Sequence, residues 1–195
     1  MAETKNNPTR ITLGSPEFPV RFSYLHAHTA QESEDDDGNK QLKYSTQVLI
    51  DKRDTKSKAA IDAAIKAVLA EDAGGKMPAN CKLPLRDGDE EWEEKGEVVK
   101  GHWFFNCSSK KKPDVVGTER DIDGKLVRLS EDEIKSGDYG RITVNAFSFG
   151  IKAKAKSKGI GLGMGNIQKL KDGEALGSSR SAEDDFGDLE DGFAD

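Results

Sequence analysis

The sequence predicts a mainly β fold: a small closed barrel with one helix and long loops, followed by a disordered acidic C-terminal tail. Three observations predict it. Apolar and polar residues alternate in five or so short stretches, a single stretch carries the helical period, and the last fifteen residues hold seven acids and no base. At 195 residues the chain has room for one domain plus appendages. A parallel α/β fold would need repeated strand-helix-strand units, which are absent from the pattern.

Taken in order, "EFPVRFSYLHA" alternates Phe18, Val20 and Phe22 with Pro19, Arg21 and Ser23, the period of a half-buried strand. The acidic "AQESEDDDGNKQ" has no periodicity and reads as a solvated loop, and "KYSTQVLID" reads as a second strand completing a long-looped hairpin. In "DTKSKAAIDAAIKAVLAEDAGG", Ile61, Ile65, Val68 and Leu69 form a helical stripe, with Asp54 or Thr55 to cap it and Gly74 and Gly75 to end it. Pro78, Pro84, Gly88 and Gly96 break any regular pattern over the next twenty or so residues, so no element is assigned there. "GHWFFNCSS", "KLVRLS" and "DYGRITVNAFSFG" are three further strand candidates, and "KAKAKSKGIGLGMGNIQKL" is a basic arm running into a final strand near Gly161 to Leu170. A mostly antiparallel sheet with one helix and long loops suits an OB-fold.

The formal charge of −6 conceals an asymmetry, because without the last fifteen residues it becomes +1. Bases gather at Lys110, Lys111 and Lys112 and at Lys152, Lys154, Lys156 and Lys158, a pattern that suggests a polyanionic partner and an internal acidic mimic of it. Along 139–149 the odd residues Tyr139, Arg141, Thr143, Asn145, Phe147 and Phe149 share one strand face, opposite Ile142, Val144 and Ala146. Rings for stacking bases, interleaved with donors for phosphates, are what a nucleic-acid platform requires. The alternative is a β-bulge that turns Phe147 and Phe149 inward. In "GHWFFNCSSKKKP", Trp103, Phe105 and Cys107 face one way and His102, Phe104 and Asn106 the other; one aromatic set belongs to the core, and Trp103 reads either as a packed barrel residue or as a stacking ring. The expected nucleic-acid-binding set is therefore Trp103, Phe105, Tyr139, Arg141, Phe147, Phe149 and the seven lysines.

Other chemistries find little support. "GIGLGMGN" lacks the Gly-Lys-Ser/Thr ending of a phosphate loop and no helix follows it, so its glycines are read as letting a strand bend or approach another backbone. His26, His28, His102, Cys81 and Cys107 have no metal-ligand spacing, and no nucleophile motif occurs. No enzyme activity, metal or cofactor is expected. The start "MAETKNNPTR" has no apolar signal segment, which places the protein in a cytoplasm with two free thiols. In the tail, Phe186, Leu189 and Phe193 are spaced among the acids as groups able to enter a partner's pocket.

The strings "RFSY", "YSTQVLIDKRD", "LPLRDGDEE", "GHWFFNCSSKKKP", "DYGRITVNAF" and "GIGLGMGNIQKLKDGEALG" resemble, in the same order and over nearly the whole chain, a bacteriophage family of single-stranded-DNA-binding proteins once classed as a domain of unknown function. The resemblance implies an OB-fold body, residues 1–177, and a tail, 178–195, that recruits replication, recombination or repair proteins in the infected bacterial cell. It implies coating of unpaired DNA without sequence preference. One departure stands out: bacterial members end in Phe, whereas here Ala194 and Asp195 follow Phe193, which points to a phage-encoded partner for the tail. A protein-interaction adaptor and an RNA-binding chaperone are the alternative readings.

Overall fold

The computed structural model describes residues 7–34 and 38–177. The strands are β1 (Arg10–Leu13), β2 (Val20–Glu34), β3 (Lys40–Asp51), β4 (Arg86–Asp87), β5 (His102–Ser109), β6 (Val115–Arg120), β7 (Leu126–Arg128), β8 (Tyr139–Phe149) and β9 (Gly159–Lys171); the helices are α1 (Thr55–Asp72) and α2 (Gly88–Lys95). Strands β2, β3, β5, β9 and β8 pair successively, and β8 returns to β2, which closes a five-stranded barrel. All these pairs are antiparallel except β5 with β9. β1 extends the sheet beyond β8, the β6–β7 hairpin extends it beyond β9, and β4 pairs with β5.

Alternation decides the barrel's interior. Val20, Phe22, Val48, Ile50, Phe105, Ile142, Val144, Ile160 and Ile167 point inward and are buried, while their sequence neighbours on β8 stay outside. Helix α1 adds Ile61, Ala64, Ile65, Val68 and Leu69 to the same core. Asp54 caps it by accepting from Ser57 N at 3.0 Å, and Gly74 and Gly75 end it at positive φ, where a side chain would be strained.

Five elements depart from the expectations. β1 was not anticipated: its four residues are too short to show a period. β2 continues through the acidic stretch to Glu34, because backbone pairing with β3 from Gln31 to Glu34 does not depend on apolar side chains. The Gly-rich segment after α1 contains β4 and a second helix, α2, capped by Asp87. It is held by a small cluster outside the barrel wall, in which Leu49, Phe104 and Val99 pack with Trp92, Val98 and Leu176. Gly88 permits this approach, since a Cβ there would lie 1.9 Å from the Val99 carbonyl oxygen. β6 was also missed, and "KLVRLS" supplies only its partner β7.

Below the barrel, the Asp138 carboxylate is fully buried. It accepts from the backbone N–H groups of Lys135 and Gly173 at 3.0 Å and lies 3.0 Å from the ammonium groups of both Lys135 and Lys169. Burial alone would raise its pKa; the two N–H donors and two lysines outweigh that and hold it below the ordinary aspartate value.

Candidate nucleic-acid interface

Residues of all five barrel strands converge on one groove of about 740 Å³. β3 contributes Ser45 and Gln47, and β5 contributes Asn106 and Ser108 directly opposite them; the Gln47 amide donates to Asn106 Oδ1 at 3.3 Å. Ser108 is in register with Gly163 on β9, and Gly161 on the same strand is in register with Phe147 on β8. The Phe147 ring is 46% exposed and lies over Gly161, where a Cβ would come within 2.6 Å of Cζ. Phe149 repeats the arrangement one step along: its ring lies over Gly159, where a Cβ would meet Cζ at 2.7 Å. The alternating glycines of β9 thus make room for the alternating rings of β8, the close approach expected of them in a more specific form.

Tyr24, which sequence reasoning missed, completes the ring set at 67% exposure. Strict alternation after Val20 and Phe22 would bury it. Instead Ser23 pairs with Gln47 and His26 with Ser45, so Tyr24 and Leu25 together oppose one residue, and Tyr24 sits at φ +48°. This bulge turns the phenol out into the groove. Gln47 and Asn106 carried a readable signal, since each alternates with residues that had to be core.

The expected residues divide. Phe147 and Phe149 do face outward, with no inward-turning bulge. Lys110, Lys111 and Lys112 are exposed and follow β5 just past Ser108; Lys154 and Lys156 are exposed and Lys158 partly so in the loop after Phe149. Lys152 of that loop is held by Asp72 at the end of α1, 2.7 Å away. Phe105 is a correction: its ring is fully buried and has no face to offer a base, because the alternation that exposes Asn106 sends it inward. Trp103 is also corrected. It packs half-buried against the core, and the ammonium groups of Lys52 and Lys58 lie 4.8 and 5.5 Å from its ring centroid. Tyr139 lies at the other end of β8 under two cations, with Arg21 at 5.2 Å and Lys171 at 4.8 Å. Arg141 shares the outer face of β8 but lies outside the groove, about 20 Å from Phe147 at strand rise. Phe186, Leu189 and Phe193 lie outside the described residues.

Several ionisable groups of the groove are already engaged. Arg86 at its edge is paired with Glu91, and Lys95 with Glu94 at 2.6 Å. The Cys107 thiol is pushed up to about 12 by burial and hydrogen-bonds the Thr46 carbonyl, so it is no nucleophile at neutral pH. Among the described residues, no cluster of three or more His, Cys, Asp or Glu could hold a metal ion, and no helix is long and apolar enough to cross a membrane.

A five-stranded barrel closed in the order β2-β3-β5-β9-β8 is an OB-fold, and its groove lies on the second and third barrel strands, next to the final strand pair, where OB-folds take oligonucleotides and oligosaccharides. The chain belongs to the phage family described as Enterobacter phage Enc34, ssDNA-binding protein, whose profile matches residues 9–194. Among solved structures it is similar to the single-stranded DNA-binding protein from bacteriophage Enc34 in complex with ssDNA, at 23% identity over 87% of this chain and 90% of that one, with a TM-score of 0.66. The same phage's protein in another structure gives 23% identity over 92% and 90%, with a TM-score of 0.63. Similarity extends to gp2.5, a single-stranded DNA-binding protein encoded by bacteriophage T7, at 12% identity over 94% and 96%, with a TM-score of 0.53. No curated protein sequence matches. At these identities the structural likeness speaks for the fold.

Proposed function

We propose that this chain binds single-stranded DNA without sequence preference, coating and protecting unpaired strands during phage DNA replication and recombination in the host cell. It acts as a binder and makes or breaks no covalent bond. Residues 1–177 form the binding domain. Residues 178–195 serve as a tail that recruits replication or recombination proteins through Phe186, Leu189 and Phe193, and competes with DNA for the basic surface.

One observation carries the reading: Phe147 and Tyr24 present exposed rings to a groove floored by the Gln47–Asn106 pair and glycine backbone, and Phe149 continues the row of rings along β8. Stacking tolerates any base because every base has a π-face, and the lysines beside it supply phosphate neutralisation. The test is fluorescence anisotropy of an end-labelled oligo-dT titrated with full-length protein, with equal-length RNA and duplex DNA as competitors. The external label matters because Trp103 and Trp92 both lie in packed surroundings away from the groove. Displacement by unlabelled oligo-dT and not by duplex is expected, with RNA no stronger a competitor than oligo-dT. Absence of a complex at low salt would refute the proposal, and preferential displacement by RNA would redirect it to an RNA chaperone.

A further inference from the structure

Beyond the aromatic groove, the outer face of β8 runs on past Asn145 and Thr143 to Arg141, and β1 flanks it. Because Arg10 is in register with Asn145 and Thr12 with Thr143, the side chains of Arg10 and Thr12 lie on the same face. This strip ends in a separate cavity of about 320 Å³, lined by Thr12, Thr143, Asn166 and Arg141 with apolar walls from Val116 and Leu126. Arg141 Nε is shielded from solvent and has no hydrogen-bond partner. Asp114, the one carboxylate lining the cavity among the described residues, is engaged at 2.8 Å by Arg128. A guanidinium placed this way holds an unsatisfied charged donor, which an anion with two acceptor oxygens, as a phosphodiester has, would relieve.

We infer that Arg141 is a phosphodiester-binding site at the far end of a second track, which carries the strand from Phe147 and Phe149 over the outer face of β8 and β1 after it leaves the groove. The inference rests on the single-strand reading above and extends its footprint onto strands outside the aromatic groove. A short oligonucleotide that fills the groove does not reach Arg141, whereas a longer one does.

The test compares Arg141→Gln with wild type on oligo-dT of about 5 and about 16 nucleotides, the span of site sizes seen for single OB-folds. Each is titrated by anisotropy across a salt series. The expected result is unchanged binding of the short strand, weaker binding of the long strand, and a log affinity against log salt slope shallower by about 0.7 for the long strand alone, the value of one phosphate contact. Thr12→Glu, at an exposed position on β1, places a carboxylate beside Arg141 and is expected to give the same pattern, so a folding defect in the first variant does not decide the matter. Unchanged long-strand slopes in both variants overturn the track. Equal losses on both lengths overturn it too, by placing Arg141 within the primary groove. Failure of wild type to bind either strand refutes the single-strand reading as well.

Discussion

The Phe147 ring rests on Gly161, directly across the β8–β9 pair, with no room for a Cβ between them. Phe147→Ala should therefore leave the fold in place, since the ring is 46% exposed, and cost single-strand binding about 1–3 kcal/mol, roughly tenfold or more in affinity. Parallel thermal melts and oligo-dT titrations check this. A collapse of the melting midpoint with unchanged affinity would assign the ring to structure.

Asp72 restrains Lys152 from the other side of the loop. The Lys152 ammonium, and after it the Ser148 hydroxyl at 2.5 Å, hold the Asp72 carboxyl below its ordinary pKa, so the pair is intact at neutral pH and is released as pH falls through that lowered value. Asp72→Asn should free Lys152 for phosphate, tightening binding at low salt and steepening the salt slope by about 0.7. An unchanged slope would take Lys152 out of the interface.

Lys110, Lys111 and Lys112 stand exposed just after β5, whose Ser108 lines the groove. Replacing all three by alanine should flatten the salt dependence by about 0.7 for each phosphate they neutralise. Affinity should drop most at low ionic strength.

Removal of residues 181–195 should tighten oligo-dT binding at low salt, with the gain fading as ionic strength rises, because an anionic tether competes at about millimolar effective concentration. The double substitution Phe186→Ala, Phe193→Ala keeps every acid. It should preserve the competition and abolish partner capture, and equal affinities of full-length and truncated protein across the salt series would end the competition model.

Asp138 should set the acid limit of the fold. Its folded pKa is depressed, so its contribution is complete above the ordinary aspartate value of about 3.9 and is lost as pH falls below that through the folded value. Asp138→Ala leaves the backbone N–H groups of Lys135 and Gly173 without their acceptor, while Lys169 keeps Asp172 at 2.7 Å, and should cost about 1–3 kcal/mol, measurable by denaturant melts at neutral pH.

Much of the barrel was legible because its strands obey a period of two: Ile142, Val144 and Ala146 had to be core once Arg141 and Asn145 were not, and that assigned the outer face carrying Phe147. Helix α1 announced itself through its stripe, cap and terminal glycines. The signals failed where position depends on a distant strand. Tyr24 is exposed only because β3 forces a bulge into β2, and α2 folds only against Leu49 and Phe104 on the barrel's outer wall. Trp103 and Phe105 were misread for a related reason. Alternation sorts residues into two sets, but only the barrel's closure says which set faces in, and on β5 the inward set was the one with the tryptophan.

The parallel pairing of β5 with β9 has a consequence for how the molecule is made. Until the ribosome has released residues 159–171, β5 and β8 each lack the neighbour that joins them, and the barrel stands open along one seam. Contacts this remote in sequence close slowly, and open strand edges invite association with other chains in the interval. Phe147 meanwhile has no Gly161 beneath it, so no nascent chain shorter than β9 carries the groove. A protein assembled in this order gains its capacity to bind there in one step, with the last barrel strand.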